Sequence, residues 1–150
     1  MSDFTYKYPR PAYTTDTVLV ADNGEGQLHV LLIKRGAEPF KGTWALPGGF
    51  VDEGERSVEA ARRELAEETG IQVPDLDAFT IIGVYDAPGR DPRGWTVSVA
   101  YAAQVSRMID AQGGDDAADA CWFPLNDLPE LAFDHAQIIA DVISLLSEVE

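Results

Sequence analysis

Residues 49–71 read Gly-Phe-Val-Asp-Glu-Gly-Glu-Arg-Ser-Val-Glu-Ala-Ala-Arg-Arg-Glu-Leu-Ala-Glu-Glu-Thr-Gly-Ile. Within this stretch Glu64, Glu67 and Glu68 stand at i, i+3 and i+4 behind Arg63. An α-helix turns about 100° per residue, so the three carboxylates share one face. Like charges at that spacing weaken a helix by roughly a few tenths of a kcal/mol per pair. A hard divalent cation with oxygen ligands is the natural compensation. The plain alternative is a solvated acidic face, which describes most isolated runs of this kind. This run is not isolated, because Gly48 and Gly49 precede it and Gly70 closes it. Ser57 is a candidate N-cap, and Gly70 stands where a helix end favours a left-handed residue. The spacing predicts a helix from Val58 to Thr69, entered from a glycine-rich loop. Val58, Ala61 and Leu65 fall on another face suited to packing on a sheet, with the acids aimed away from the core.

Gly49, five residues, Glu55, seven residues, then Arg63-Glu64-Leu65-Ala66-Glu67-Glu68-Thr69-Gly70-Ile71 resembles the Nudix box at every fixed position. The resemblance extends over nearly the whole chain. It implies an α+β fold, an α/β/α sandwich with a central mixed β-sheet. It also implies a pyrophosphohydrolase that uses Mg2+ or Mn2+ to cleave a nucleoside diphosphate linked to another moiety. Hard cations mask phosphate charge and activate water, which suits phosphoryl attack. By resemblance, Glu64, Glu67 and Glu68 are metal ligands, Gly48 offers a backbone carbonyl and Glu55 supports the metal shell. Arg63 orients the glutamates through charge-assisted hydrogen bonds. The general base in this family is either a box glutamate or an acid on a later loop. Asp116, among Asp115, Asp116 and Asp119, stands in the right part of the chain for the second kind; the alternative is a solvated acidic loop.

Substrate choice must come from outside the box. Lys34-Arg35 ends an apolar run and can reach phosphate. Arg90-Asp91-Pro92-Arg93-Gly94 places two arginines in a loop of a very acidic chain, and the guanidinium fork suits phosphate or ribose. Trp44, Trp95 and Tyr13 are candidates for stacking on adenine, against the plainer reading of core aromatics. Pro-Arg-Pro at 9–11, Lys-Gly-Thr-Trp at 41–44, Leu-Pro-Gly-Gly at 46–49 and Phe-Asp-His at 133–135 resemble the ADP-ribose pyrophosphatase subgroup. Pro88 falls a little beyond the position that subgroup favours for a proline. Hydrolysis of ADP-ribose to AMP and ribose 5-phosphate ranks first. A nucleoside triphosphate pyrophosphohydrolase comes second, and a non-catalytic ADP-ribose sensor third. Arg35, Trp44, Arg90 and Arg93 are the substrate-binding candidates. His135, beside a helix start, reads as structural.

Composition bounds these readings. At 150 residues and 45% hydrophobic, one domain spans the chain and can bury a core. Acids outnumber bases 26 to 11, a formal charge of −15. That charge argues against non-specific binding of nucleic acid or membrane surfaces. Cys121 is the only cysteine, so no intrachain disulfide forms. No signal-like or membrane-length apolar run is present, and a cytoplasmic setting is the expectation. Tyr6, Tyr8, Pro9, Pro11 and Tyr13 make residues 1–13 an extended arm, with exchange between the subunits of a homodimer as its expected use. Thr17–Ala21 and Leu28–Ile33 predict a hairpin, Phe79–Tyr85 and Trp95–Val105 two more strands, and Cys121–Phe123 another. A closing helix carries the stripe Ile138, Ile139, Val142, Leu145, Leu146 and Val149, capped by Asp134 and Gln137.

Overall fold

The two β-rich runs flanking Asn23-Gly24-Glu25-Gly26 meet as antiparallel strands, with Val20 opposite Val30. The turn is built by Asn23, whose Oδ1 accepts from the Glu25 N–H at 2.8 Å. The computed structural model describes residues 5–114 and 117–148. Its elements are β1 (Ala12–Asp22), β2 (Leu28–Arg35), β3 (Trp44–Ala45), β4 (Gly48–Phe50), α1 (Ser57–Thr69), β5 (Thr80–Tyr85), β6 (Thr96–Val105), β7 (Ala117–Pro124) and α2 (His135–Glu148). The predicted extended arm gives way to β1 at Ala12.

One seven-stranded sheet runs β3-β2-β1-β6-β5, with β4 also on β1 and β7 also on β2. β1 lies parallel to β6 from Ala12 to Ala21. Along its other edge β1 changes partner: Asp22 to Val20 face β2, while Thr14 to Asp16 face β4. Between the two, the Thr17 N–H donates to the Pro47 carbonyl at 2.9 Å. Parallel and antiparallel pairings share one sheet, the expected mixed architecture.

Both faces of β1 and β2 are buried, so their sequences read as nearly continuous apolar runs. Leu19, Leu31 and Ile33 pack with Val58, Ala61 and Leu65 of α1. Val18, Val20, Val30 and Leu32 pack with Ile138, Ile139 and Val142 of α2. Helices on opposite faces give the α/β/α sandwich. Among the described residues no helix is long and apolar enough to cross a membrane.

Three local expectations are corrected. Ser57 is the first helical residue, and its Oγ meets the Tyr101 hydroxyl at 2.5 Å. The start of α1 is closed instead by Glu59, which accepts from the Arg56 N–H at 2.9 Å. Asp134 does not form a capping box with Gln137. Its carboxylate binds Arg90, and the Gln137 amide donates to Asp141 at 2.8 Å. The stripe on α2 is buried only in its first half. Ile138 is fully buried, whereas Leu145 is 42% exposed and Leu146 39% exposed; Val149 lies outside the described residues.

This split predicts unequal costs. Ile138→Ala should lose about 2–5 kcal/mol in urea unfolding, and Leu145→Ala less than about 1 kcal/mol. Equal losses would contradict the half-buried helix.

Candidate active site

β4 passes between β1 and α1 with no room for side chains at its first two positions. A Cβ on Gly48 would collide with the Thr15 carbonyl oxygen, and one on Gly49 would lie 2.6 Å from the Glu64 carboxyl carbon. These glycines serve close approach rather than unusual dihedrals. The approach lets the Gly48 N–H donate to Glu68 Oε1 at 2.7 Å. Phe50, the third residue of β4, is left half exposed.

Arg63 organises the acids around that strand. Its Nε and Nη2 grip both oxygens of Glu55, at 2.8 and 3.0 Å. Nη1 reaches Glu64 at 2.7 Å and Glu67 at 3.2 Å, and Nη2 also donates to the Phe50 carbonyl. The Glu55 hydrogen bonds, with Glu64 beside them, hold the guanidinium firmly charged. Arg63 in turn keeps the Glu55 carboxyl below its ordinary range.

Glu68 is hydrogen-bonded by the Gly48 N–H rather than gripped by a guanidinium. It is 8% exposed, so the expectation that all three acids point away from the core fails here. Burial, helped by Glu64 and Asp16 and opposed by the Gly48 N–H and the charge of Arg35, pushes its pKa up to about 8. A buried carboxylate facing two other acids is short of positive charge, and a hard divalent cation supplies it. The donor set is all oxygen and therefore fits such an ion. Among the described residues no trio of acid, histidine or cysteine side chains stands as a finished ligand shell. Glu64 and Glu67 each have an oxygen turned onto Arg63.

Behind Gly48 lies a buried polar cluster. Asp16 of β1 accepts from Ser98 of β6 at 2.6 Å and lies 3.3 Å from His135 Nε2. His135 Nδ1 accepts the Leu46 N–H at 3.0 Å, so the ring proton sits on Nε2 and points to Asp16. Burial raises the Asp16 pKa, but His135, Ser98 and Arg90 together outweigh it and leave it lowered. Sequence reasoning left Asp16 out of the site. Its signal was a carboxylate among threonines at the start of an otherwise apolar strand.

The pocket beside these acids measures about 440 Å³. Glu64, Glu67 and Glu68 line it, and so do Arg35, Arg90 and Arg93. The arginines differ in what they can do. Arg90, with its side chain 5% exposed, is committed to Asp134 through bonds of 2.8 and 2.6 Å. It braces the wall rather than offering a free fork. Arg93 gives Nε and Nη2 to Asp91, at 3.1 and 2.8 Å. Arg35 gives Nε to the Pro39 carbonyl at 2.6 Å. Trp44 is not brought to the pocket. Its ring packs edge-on against Phe123 at 4.8 Å, and its carbonyl accepts from the Ala132 N–H. Asp116 lies outside the described residues. Phe50 and Phe133, to which the sequence reading gave no role although Phe133 opens the Phe-Asp-His motif, both line the pocket.

Comparison with known proteins agrees with this geometry. The NUDIX domain profile matches residues 12–143. An ADP-ribose pyrophosphatase of Methanocaldococcus jannaschii is 46% identical over 134 residues, 89% of this chain and 74% of that protein. The ADPR responsive transcriptional repressor NtrR of Acinetobacter baylyi is 37% identical over 144 residues; that match covers 93% of this chain but only 56% of the repressor. The NUDIX domain of Shewanella oneidensis NrtR, solved with ADP ribose, superposes with a TM-score of 0.84 at 36% identity, covering 93% of this chain and 90% of that one. The domain match takes in every strand and both faces of the sandwich, and with it the box acids on the pocket wall, so the chain belongs to the Nudix family.

Proposed function

We propose that the chain hydrolyses ADP-ribose to AMP and ribose 5-phosphate, with Mg2+ or Mn2+ at the acids of α1. The observation that carries this reading is one pocket lined both by the box acids and by arginines. A diphosphate presents charge to both groups at once. The 46% identical ADP-ribose pyrophosphatase supports the choice of substrate.

Glu64, Glu67 and Glu68 would hold the cation, with the Gly48 carbonyl beside them and Glu55 fixing Arg63. Arg63 would release Glu64 and Glu67 oxygens to the ion while staying anchored on Glu55. When bound, the cation masks phosphate charge and lowers the pKa of water. Arg35 and Arg93 take the diphosphate, while Arg90 holds the pocket lining to β1 and α2. Water adds to one phosphorus, the bridging P–O bond breaks, and a protein carboxylate takes the water proton. That base is a box glutamate or Asp116. Support for Asp116 comes from Gly114, whose N–H donates to the Glu68 carbonyl at 3.0 Å, tying the preceding loop to the end of α1.

The second reading, an ADP-ribose sensor without turnover, draws on the repressor relative. It needs no functional acids on α1, whereas this chain keeps all of them. Homodimer formation is proposed with it, supported by exposed Ile81 and Val84 on the edge strand β5. Sedimentation at a monomer mass across working concentrations would dismiss it.

Product analysis with Mg2+ across ADP-ribose, NADH, diadenosine polyphosphates and 8-oxo-dGTP tests the substrate. AMP and ribose 5-phosphate from ADP-ribose is the expected outcome; pyrophosphate from a triphosphate would replace it. Glu68→Gln should cut kcat by about a hundredfold or more with the fold kept by circular dichroism. Unchanged turnover would sink the metal assignment.

Stability should depend on pH through the same residue. The folded chain holds the Glu68 proton up to about pH 8, whereas an ordinary carboxyl releases it near 4.5. The folded state therefore binds more protons in that window, and its advantage falls as pH rises. Without divalent cation, Tm should decline from about pH 5 to about pH 8, and added Mg2+ should raise Tm more at the upper end. Glu68→Gln should flatten both trends.

A further inference from the structure

Among the described residues, Phe40 and Phe133 are the two non-glycine residues at positive φ, +62° and +53°. A bulky side chain in that region is strained, and glycine or asparagine would hold the same backbone more easily. The two rings touch edge-on with centroids 4.9 Å apart. The backbone around Phe133 is pinned on both sides. The Ala132 N–H donates to Trp44, Asp134 is locked to Arg90, and His135 is locked to Leu46. Strain maintained by so many contacts places a ring where glycine would place none.

That ring contacts two guanidiniums. Arg35 Cζ is 5.1 Å from the Phe133 centroid and Arg93 Cζ is 5.6 Å from it. Arg93 is also 5.6 Å from the ring of Phe50, the residue after the box glycine Gly49. Phe50, Arg93, Phe133 and Arg35 thus form a linked series of ring–cation contacts in the pocket lining. Two cations sharing one ring repel each other, and the aromatic face they share offsets part of that repulsion. Asp91 fixes Nε and Nη2 of Arg93 and leaves Nη1 without a protein acceptor among the described residues.

We propose that Phe133 is a positioning and specificity residue that holds Arg35 and Arg93 as a paired clamp for the pyrophosphate of a nucleoside diphosphate. The clamp rests on the function proposed above, and it explains how an acidic chain keeps two cations aimed at one anion. A monophosphate engages one guanidinium; a pyrophosphate spans both. Phe133 therefore sets a preference for diphosphates over monophosphates.

Isothermal titration of ADP and of AMP, both with Mg2+, tests this independently of turnover. The wild-type chain should bind ADP more tightly than AMP. Phe133→Leu, which keeps an apolar side chain but removes the ring, should reduce that ratio about five- to tenfold, and Phe133→Tyr should restore it. On ADP-ribose, Phe133→Leu should raise KM with kcat held within about twofold. Phe50 is half exposed and safe to alter. Phe50→Leu should weaken ADP binding in the wild-type background and do nothing further in an Arg93→Ala background. Equal affinity of the wild-type chain for ADP and AMP overturns the clamp. So does equal weakening of both ligands by Phe133→Leu, failure of tyrosine to rescue, or additivity of Phe50→Leu with Arg93→Ala. If ADP-ribose is not split but the ADP preference follows Phe133, the substrate reading fails and the clamp stands.

Discussion

The site depends on one steric constraint, the passage of β4 between β1 and α1. Gly48 fits against the Thr15 carbonyl and Gly49 against the Glu64 carboxyl only because neither has a Cβ. A side chain at Gly48 would drive β4 off the β1 backbone, and one at Gly49 would displace the Glu64 carboxylate. The same closeness brings the Gly48 N–H onto Glu68 and makes that carboxylate part of the strand–helix joint. Steric fit and charge placement are here one arrangement.

Charge is then balanced by position rather than by total. The chain carries −15 overall, yet its acids near the pocket meet three different fates. Glu55 is gripped by Arg63 and stays charged. Asp16 is buried but satisfied by serine, histidine and arginine. Glu68 is buried beside other acids, and the charge of Arg35 does not offset that burial, the condition a bound cation would relieve.

The arginines of the pocket show how second-line residues define what first-line residues do. Arg90 looked like a substrate fork in the sequence and is instead the tie between the β5–β6 loop and the start of α2. Its partner Asp134 looked like a helix cap. Each expectation was reasonable for the residue alone, and both were overridden by one buried ion pair joining positions 44 residues apart. Trp44 moved from candidate stacking residue to a ring against Phe123 for a similar reason: strand pairing turned it into the α2-side layer.

By itself the sequence determined the local elements and the chemistry of α1. β-rich apolar runs around a glycine-containing turn specified the hairpin and buried strands, and the i, i+3, i+4 carboxylates behind Arg63 specified an acidic helix face. These signals are legible because helix and strand periods are fixed by backbone geometry and act over a few residues. Only the tertiary structure decided which acid would be buried, which arginine would stay available, and which aromatic would contact both Arg35 and Arg93. Those outcomes depend on pairings between β1, β6, the β5–β6 loop and the start of α2, which lie far apart in the chain. No local period encodes desolvation or a partner across the sheet, so the place of Asp16, the arginine contacts of Phe133 and the altered fate of Glu68 became visible only once the strands were in register.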